Sequence, residues 1–131
     1  MKFGILGAGA VGGYFGARLA EAGENVAFIA RGAHLSAIRE KGLRIESENG
    51  NACIQNAQAT DDPSEVGPVD FILFAVKLFQ TENSAEFAAP MVGPNTTFVA
   101  LQNGVECAET LARIHDKEKV LNGTSYISAV I

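Results

Sequence analysis

Cysteine and histidine each occur only twice in the 131 residues, and neither pair is placed for chemistry. Cys53 and Cys107 lie far apart and form no CxxC or ligand cluster. They read as ordinary reduced thiols of a cytoplasmic protein. His34 and His115 have no second ligand at metal spacing, which argues against a metal centre. Basic residues are outnumbered, with 10 Lys and Arg against 15 Asp and Glu and a formal net charge of −5. That balance counts against a nucleic-acid backbone as the main partner. No apolar run approaches the ~20 residues that a bilayer crossing takes. Glycines interrupt the N-terminal segment at once, so it has no signal-peptide core followed by a cleavage site. Internal repeats and low-complexity tracts are missing as well.

Apolar residues are abundant, at 47%, and there are 14 glycines. At this length they suit one compact α/β domain with a sizeable core. Lys2 to Leu6 reads as a strand. A helix follows from Ala10 to Glu21, with Val11, Phe15, Leu19 and Ala20 at helical spacing, and Ala22-Gly23 closes it. Asn25 to Ala30 is short and apolar, as a buried parallel strand is. Ala33 to Lys41 reads as a helix with Leu35 and Ile38 inward, stopped by Gly42. Leu43 to Ser47 alternates, and Ala52 to Gln55 follows Asn49-Gly50, which predicts a hairpin at the side of the sheet. Arg39, Lys41 and Arg44 read as a solvated basic face. Ala59 to Val66 is expected to be a turn with a short helix starting near Pro63. Val69 to Val76 is the clearest buried strand, and a helix follows over about Gln80 to Ala89. Pro90 and Pro94 bound the next turn. Thr96 to Leu101 is a strand, Glu106 to Ile114 a helix, and Lys119 to Ile131 strand again.

The chemistry concentrates in the turn after the first strand. Gly7-Ala8-Gly9-Ala10-Val11-Gly12 stands between a strand and a helix, the order that a dinucleotide-binding fingerprint requires. Gly7 allows the tight turn, Gly9 lets backbone approach a pyrophosphate, and Gly12 lets the helix pack on the strand. Gly13 and Ala17 extend that close-packing face. The helix N-terminus offers unpaired N–H groups and a positive dipole end. A glycine-rich turn that binds nothing has the same composition; the placement favours a nucleotide. The predicted fold is α/β: a three-layer, Rossmann-type, doubly wound and mostly parallel sheet with helices on both faces.

In such a sheet ligands sit outside the carboxyl ends of the strands, where strand order reverses. That singles out the glycine turn, Arg31, Lys77, and Asn103 with Gly104. A site that prefers NAD carries Asp or Glu at the end of the second strand. This chain has Arg31-Gly32 there and no carboxylate between Val26 and Ser36. Arg31 is either a surface residue at a helix start or a charge-assisted partner of a 2′-phosphate. The missing carboxylate favours the second reading, and with it NADP (NADPH). Lys77 reads equally as a cation for a phosphate or carboxylate and as a snorkelling lysine at a strand end. On spacing alone Asn103-Gly104 is turn chemistry. An asparagine at that point also donates to and accepts from a nicotinamide amide or a substrate oxygen.

GILGAGAVGGYFGARLAEAGENVAFIARG, then FAVKLFQT, then LQNGVE, together resemble the N-terminal part of the ketopantoate reductase (2-dehydropantoate 2-reductase) family. The resemblance runs from Met1 to about Ser128. It implies NADPH-dependent reduction of 2-dehydropantoate to pantoate, a step toward pantothenate and coenzyme A. It implies that Gly7, Ala8, Gly9, Ala10, Val11 and Gly12 bind the pyrophosphate and Arg31 the 2′-phosphate. It sets Lys77 and Asn103 near the reactive end of the cofactor, Asn103 also near the small-molecule 2-oxo acid, and Ser128 and Ala129 along the same cleft. Family members continue into an all-helical second domain that supplies the catalytic lysine and an acidic substrate-binding residue. Residues 1–131 are therefore expected to be the NADP-binding domain without that partner. Little or no turnover is expected of them, because hydride transfer needs a proton donor at the carbonyl. An apolar face that invites self-association is expected too. Two other readings stay open: the first domain of another hydroxy-acid dehydrogenase, and a non-catalytic dinucleotide sensor. Lys77 and Asn103 favour the reductase, since a sensor needs no polar groups at the nicotinamide.

Overall fold

The computed structural model of the protein describes residues 1–76, 81–101 and 106–122. In chain order the elements are β1 (Lys2–Leu6), α1 (Ala10–Glu21), β2 (Asn25–Ile29), α2 (Gly32–Lys41), β3 (Leu43–Ile45), β4 (Ala52–Ile54) and β5 (Gln58–Thr60). They continue with β6 (Val69–Phe74), α3 (Thr81–Phe87), β7 (Val92–Ala100), α4 (Glu106–His115) and β8 (Val120–Asn122). Six strands make one sheet in the order β5-β2-β1-β6-β7-β8, with every pairing parallel. The chain steps outward from β1 to β2 and β5, then returns to β6 on the other side of β1. Strand order reverses there. Leu6 is level with Ile29 on one flank and Phe74 on the other, so three strands finish side by side. The ladder runs one step further: Ala75 N–H donates to Leu6 O and Leu101 N–H to Phe74 O, each at 2.9 Å.

Alternation along the strands divides the core in two. Ile5, Phe28 and Leu73 face one side, where Ala17 of α1 and Leu35 and Ile38 of α2 cover them. Leu6, Ile29, Phe74 and Phe98 face the other, under Ala85 of α3 and Cys107 and Leu111 of α4. Helices on both faces of a parallel sheet give the three layers expected from the sequence.

The buried stripe of α1 differs from the one its apolar spacing predicts. Gly12, Gly13, Gly16 and Ala17 are buried, whereas Val11, Phe15, Leu19 and Ala20 are only half-buried. The cause is proximity. A Cβ on Gly12 would stand 2.1 Å from the Gly7 carbonyl oxygen, and one on Gly16 would stand 2.4 Å from the Phe28 ring. Gly13 is buried but has room, since the nearest atom to its Cβ position is 3.6 Å away. The small residues set how near α1 lies to the sheet.

The predicted hairpin forms as a separate antiparallel pair, β3 with β4, packed against α1. Arg39, Lys41 and Arg44 are exposed, as a solvated face is. Two expectations need correction. Gln58–Thr60, expected mostly as turn, is the edge strand β5 beside β2, with the short 3-10 turn Pro63–Glu65 after it. Pro94, expected in a turn, lies inside β7. Val69 pairs with Val92 but Phe71 with Thr97, so β7 bulges between them. That slack holds a proline, which has no N–H for the ladder. Thr96, 2% exposed, closes the bulge: its hydroxyl donates to Val69 O and accepts from Gly93 N–H. Toward the end, Lys117–Lys119 is a 3-10 turn and the strand begins at Val120; residues 123–131 lie outside the described residues.

Candidate nucleotide-binding crevice

The crevice opens where strand order reverses. Gly7, Ala8 and Gly9 form one bank, Ile29, Ala30 and Arg31 at the end of β2 the next, and Val76, Ser84 and Phe87 the far bank. Its volume is about 220 Å³. Gly7 has φ +92°, a conformation that side chains disfavour, and a Cβ there would lie 2.7 Å from the Ala75 carbonyl oxygen. Both the turn and the neighbouring strand end therefore require glycine. Gly9 is the N-cap of α1, with extended backbone and no side-chain cap, and the first turn of the helix holds no acidic residue. The first amides of α1 thus face the crevice end with no carboxylate of their own helix beside them. Gly12 lies beneath Gly7, buried, and Val11 occupies the first helical turn, half-buried. Ala10 borders a second cavity of about 160 Å³ behind the turn, between α1, α2 and the β3–β4 hairpin.

Arg31 lies two residues beyond β2 and caps α2 with extended backbone, its side chain exposed. Its guanidinium carbon lies 5.2 Å from the centroid of the Phe87 ring. Among the described residues lining this crevice there is no Asp or Glu. Gly7, Ala8, Gly9 and Arg31 thus line one crevice. Lys77, Asn103 with Gly104, and Ser128 with Ala129 lie outside the described residues.

Sequence reasoning missed His34. The histidine sits in the first turn of α2 and lines both cavities. Its Nε2 lies 2.6 Å from the Ala8 carbonyl oxygen. A carbonyl only accepts, so Nε2 carries the hydrogen and donates it. The imidazole thereby ties α2 to the middle of the glycine turn. A signal was available: a polar ring three residues beyond Arg31, one helical turn past the strand end. Phe87, on an element contributed by the other half of the sheet, carries no comparable signal. Cys107 lies away from the crevice in the core, and burial pushes its thiol up to about 11, which leaves it a poor nucleophile.

A wholly parallel, doubly wound sheet with a glycine turn at its point of reversal defines an α/β domain of the Rossmann class. Within that class the chain belongs to the ketopantoate reductase PanE/ApbA family, whose model matches residues 3–131. It is 41% identical over 106 residues to a 2-dehydropantoate 2-reductase of Mesorhizobium japonicum, covering 80% of this chain and 32% of that protein. The crystal structure of 2-dehydropantoate 2-reductase from Porphyromonas gingivalis W83 superposes with a TM-score of 0.89 at 40% identity. That match covers 98% of this chain and 47% of the other. A ternary structure of D-mandelate dehydrogenase with NADH and anilino(oxo)acetate superposes with a TM-score of 0.82 at 27% identity, over 95% of this chain and 40% of that one. The chain thus spans less than half the length of these relatives. The names of these relatives are those of oxidoreductases, and the D-mandelate dehydrogenase structure holds NADH. Among the described residues no helix is long and apolar enough to cross a membrane.

Proposed function

We propose that residues 1–131 are the cofactor-binding half of an NADPH-dependent 2-oxo-acid reductase of the 2-dehydropantoate 2-reductase type, acting in the cytoplasm. The observation that carries the cofactor choice is Arg31 at the rim of a crevice whose described lining has no carboxylate. A dinucleotide that bears a 2′-phosphate suits that rim; one with a free 2′-hydroxyl has no acidic acceptor there. The cradle suits the other end of the same half-molecule. Glycines at 7 and 12 keep out the Cβ atoms that would push the turn away, and the amides at the start of α1 are free of a side-chain cap. When bound, the cofactor supplies a hydride for the C2 carbonyl of the oxo acid. In this reading the glycine turn holds the pyrophosphate, Arg31 the 2′-phosphate, Lys77 and Ser128 the nicotinamide end, and Asn103 both nicotinamide and substrate oxygen. The proton for the new alcohol comes from a lysine of the family's helical domain, so residues 1–131 in isolation bind cofactor with little or no turnover.

The test is a fluorescence titration with NADPH and with NADH. Wild type is expected to bind NADPH more tightly. Arg31→Ala is expected to weaken NADPH more than NADH, shifting the preference about tenfold or more, as the loss of a charge-assisted contact does. Equal weakening of both removes Arg31 from the 2′-phosphate. A second reading, the first domain of another hydroxy-acid dehydrogenase, draws on the D-mandelate dehydrogenase with NADH among the structural relatives. Tighter binding of NADH than of NADPH favours it.

A further inference from the structure

We propose that Phe87 determines cofactor specificity by holding Arg31 in place from the opposite bank of the crevice. The inference rests on Arg31 reading a 2′-phosphate. Arg31 and Phe87 come from different halves of the sheet: one follows β2 and caps α2, the other ends α3, and both line the crevice. The guanidinium carbon nevertheless lies 5.2 Å from the ring centroid, within cation–π range. Phe87 has a fixed root. It is half-buried against the core formed by Ala85, Ala88, Met91 and their neighbours, so the ring is a firm surface.

The contact matters because of what it leaves available. The ion pairs among the described residues are Met1–Glu24, Arg18–Glu21 and Arg113–Glu82, and Arg31 takes part in none of them. An aromatic face attracts the cation through its quadrupole and uses none of the planar N–H fork. A guanidinium resting on a ring keeps its donors for a phosphate, whereas one paired with a carboxylate would have spent them. An arginine otherwise has much rotamer freedom to lose on binding, and a ring that already restricts it lowers that cost. The benefit reaches only a ligand that touches the guanidinium. Through Arg31, Phe87 therefore favours a dinucleotide that carries the 2′-phosphate over one that does not.

The test measures NADPH and NADH dissociation constants for the intact protein and for Phe87→Leu, Phe87→Tyr, Arg31→Ala and the Arg31→Ala/Phe87→Leu double variant. Phe87→Leu keeps apolar bulk and is expected to weaken NADPH about two- to fivefold more than NADH, the range of an exposed cation–π contact. Phe87→Tyr keeps the ring and is expected to retain the wild-type preference. In the double variant the preference is expected to match that of Arg31→Ala alone, because the two residues act as one unit. Should Phe87→Leu fail to fold, Phe87→Met takes its place. If Arg31→Ala abolishes the preference while Phe87→Leu leaves it intact, or weakens both nucleotides alike, the inference fails and the Arg31 reading survives. If Arg31→Ala itself leaves the preference unchanged, the reading beneath it fails and takes the inference with it.

Discussion

Gly16 is under a constraint that Gly13 is not, although both are buried on the same helix. A Cβ at Gly16 would meet the Phe28 ring at 2.4 Å and Ile5 at 2.9 Å; at Gly13 it would meet nothing nearer than 3.6 Å. Gly16→Ala is therefore expected to destabilise by about 1–3 kcal/mol, as overpacking does. Gly13→Ala is expected to be neutral or to stabilise by up to ~1 kcal/mol, since alanine favours the helix. Urea denaturation of the two variants beside wild type reads the difference, and equal destabilisation would show that Gly13 is as confined as Gly16. The same contrast marks the limit of sequence reasoning for single residues. The roles of Gly7 and Gly12 were legible because the fingerprint has fixed spacing around one turn. Gly16 was not, because what it makes room for is a ring on β2. His34 was judged only as a metal ligand, and its bond to the Ala8 carbonyl depends on where α2 lies against the turn.

Among the elements, the strands and helices that border the crevice were legible almost to the residue, α1 and β2 above all. Each is a short apolar run or a glycine-bounded helix, with local chemistry that agrees with its place in the fold. β5 was not. Gln58-Ala59-Thr60 is brief and polar at its start, and its single hydrogen-bonding neighbour in the sheet is β2. Only the tertiary pairing makes it a strand. β7 was half-read for the opposite reason: Pro94 is a valid breaker, but the bulge opposite Val69 and Phe71 accommodates it. Thr96 makes that accommodation possible by satisfying a donor and an acceptor that the bulge leaves unpaired. Thr96→Val keeps the shape and removes the hydroxyl. It is expected to cost about 1–3 kcal/mol, the penalty for stranded buried polar groups, measured as a lower urea midpoint with an unchanged slope. A variant as stable as wild type would mean that water or backbone adjustment replaces the hydroxyl.

At the scale of the whole molecule, the side of the sheet that carries α1 has an open apolar groove. Phe3, Phe15, Leu19, Leu73, Val99 and Leu101 line it, with Arg18 at its edge, around a space of about 390 Å³. Apolar grooves of this kind on isolated domains invite association. Residues 1–131 alone are expected to sediment with a mass that rises with concentration. A monomer at every concentration would count against association through this face. The crevice is built differently. The turn after β1 is pressed so closely to the end of β6 that the Gly7 position has no room for a methyl group against the Ala75 carbonyl. Two rims drawn from opposite halves of the sheet thereby meet along a seam that glycine alone can close.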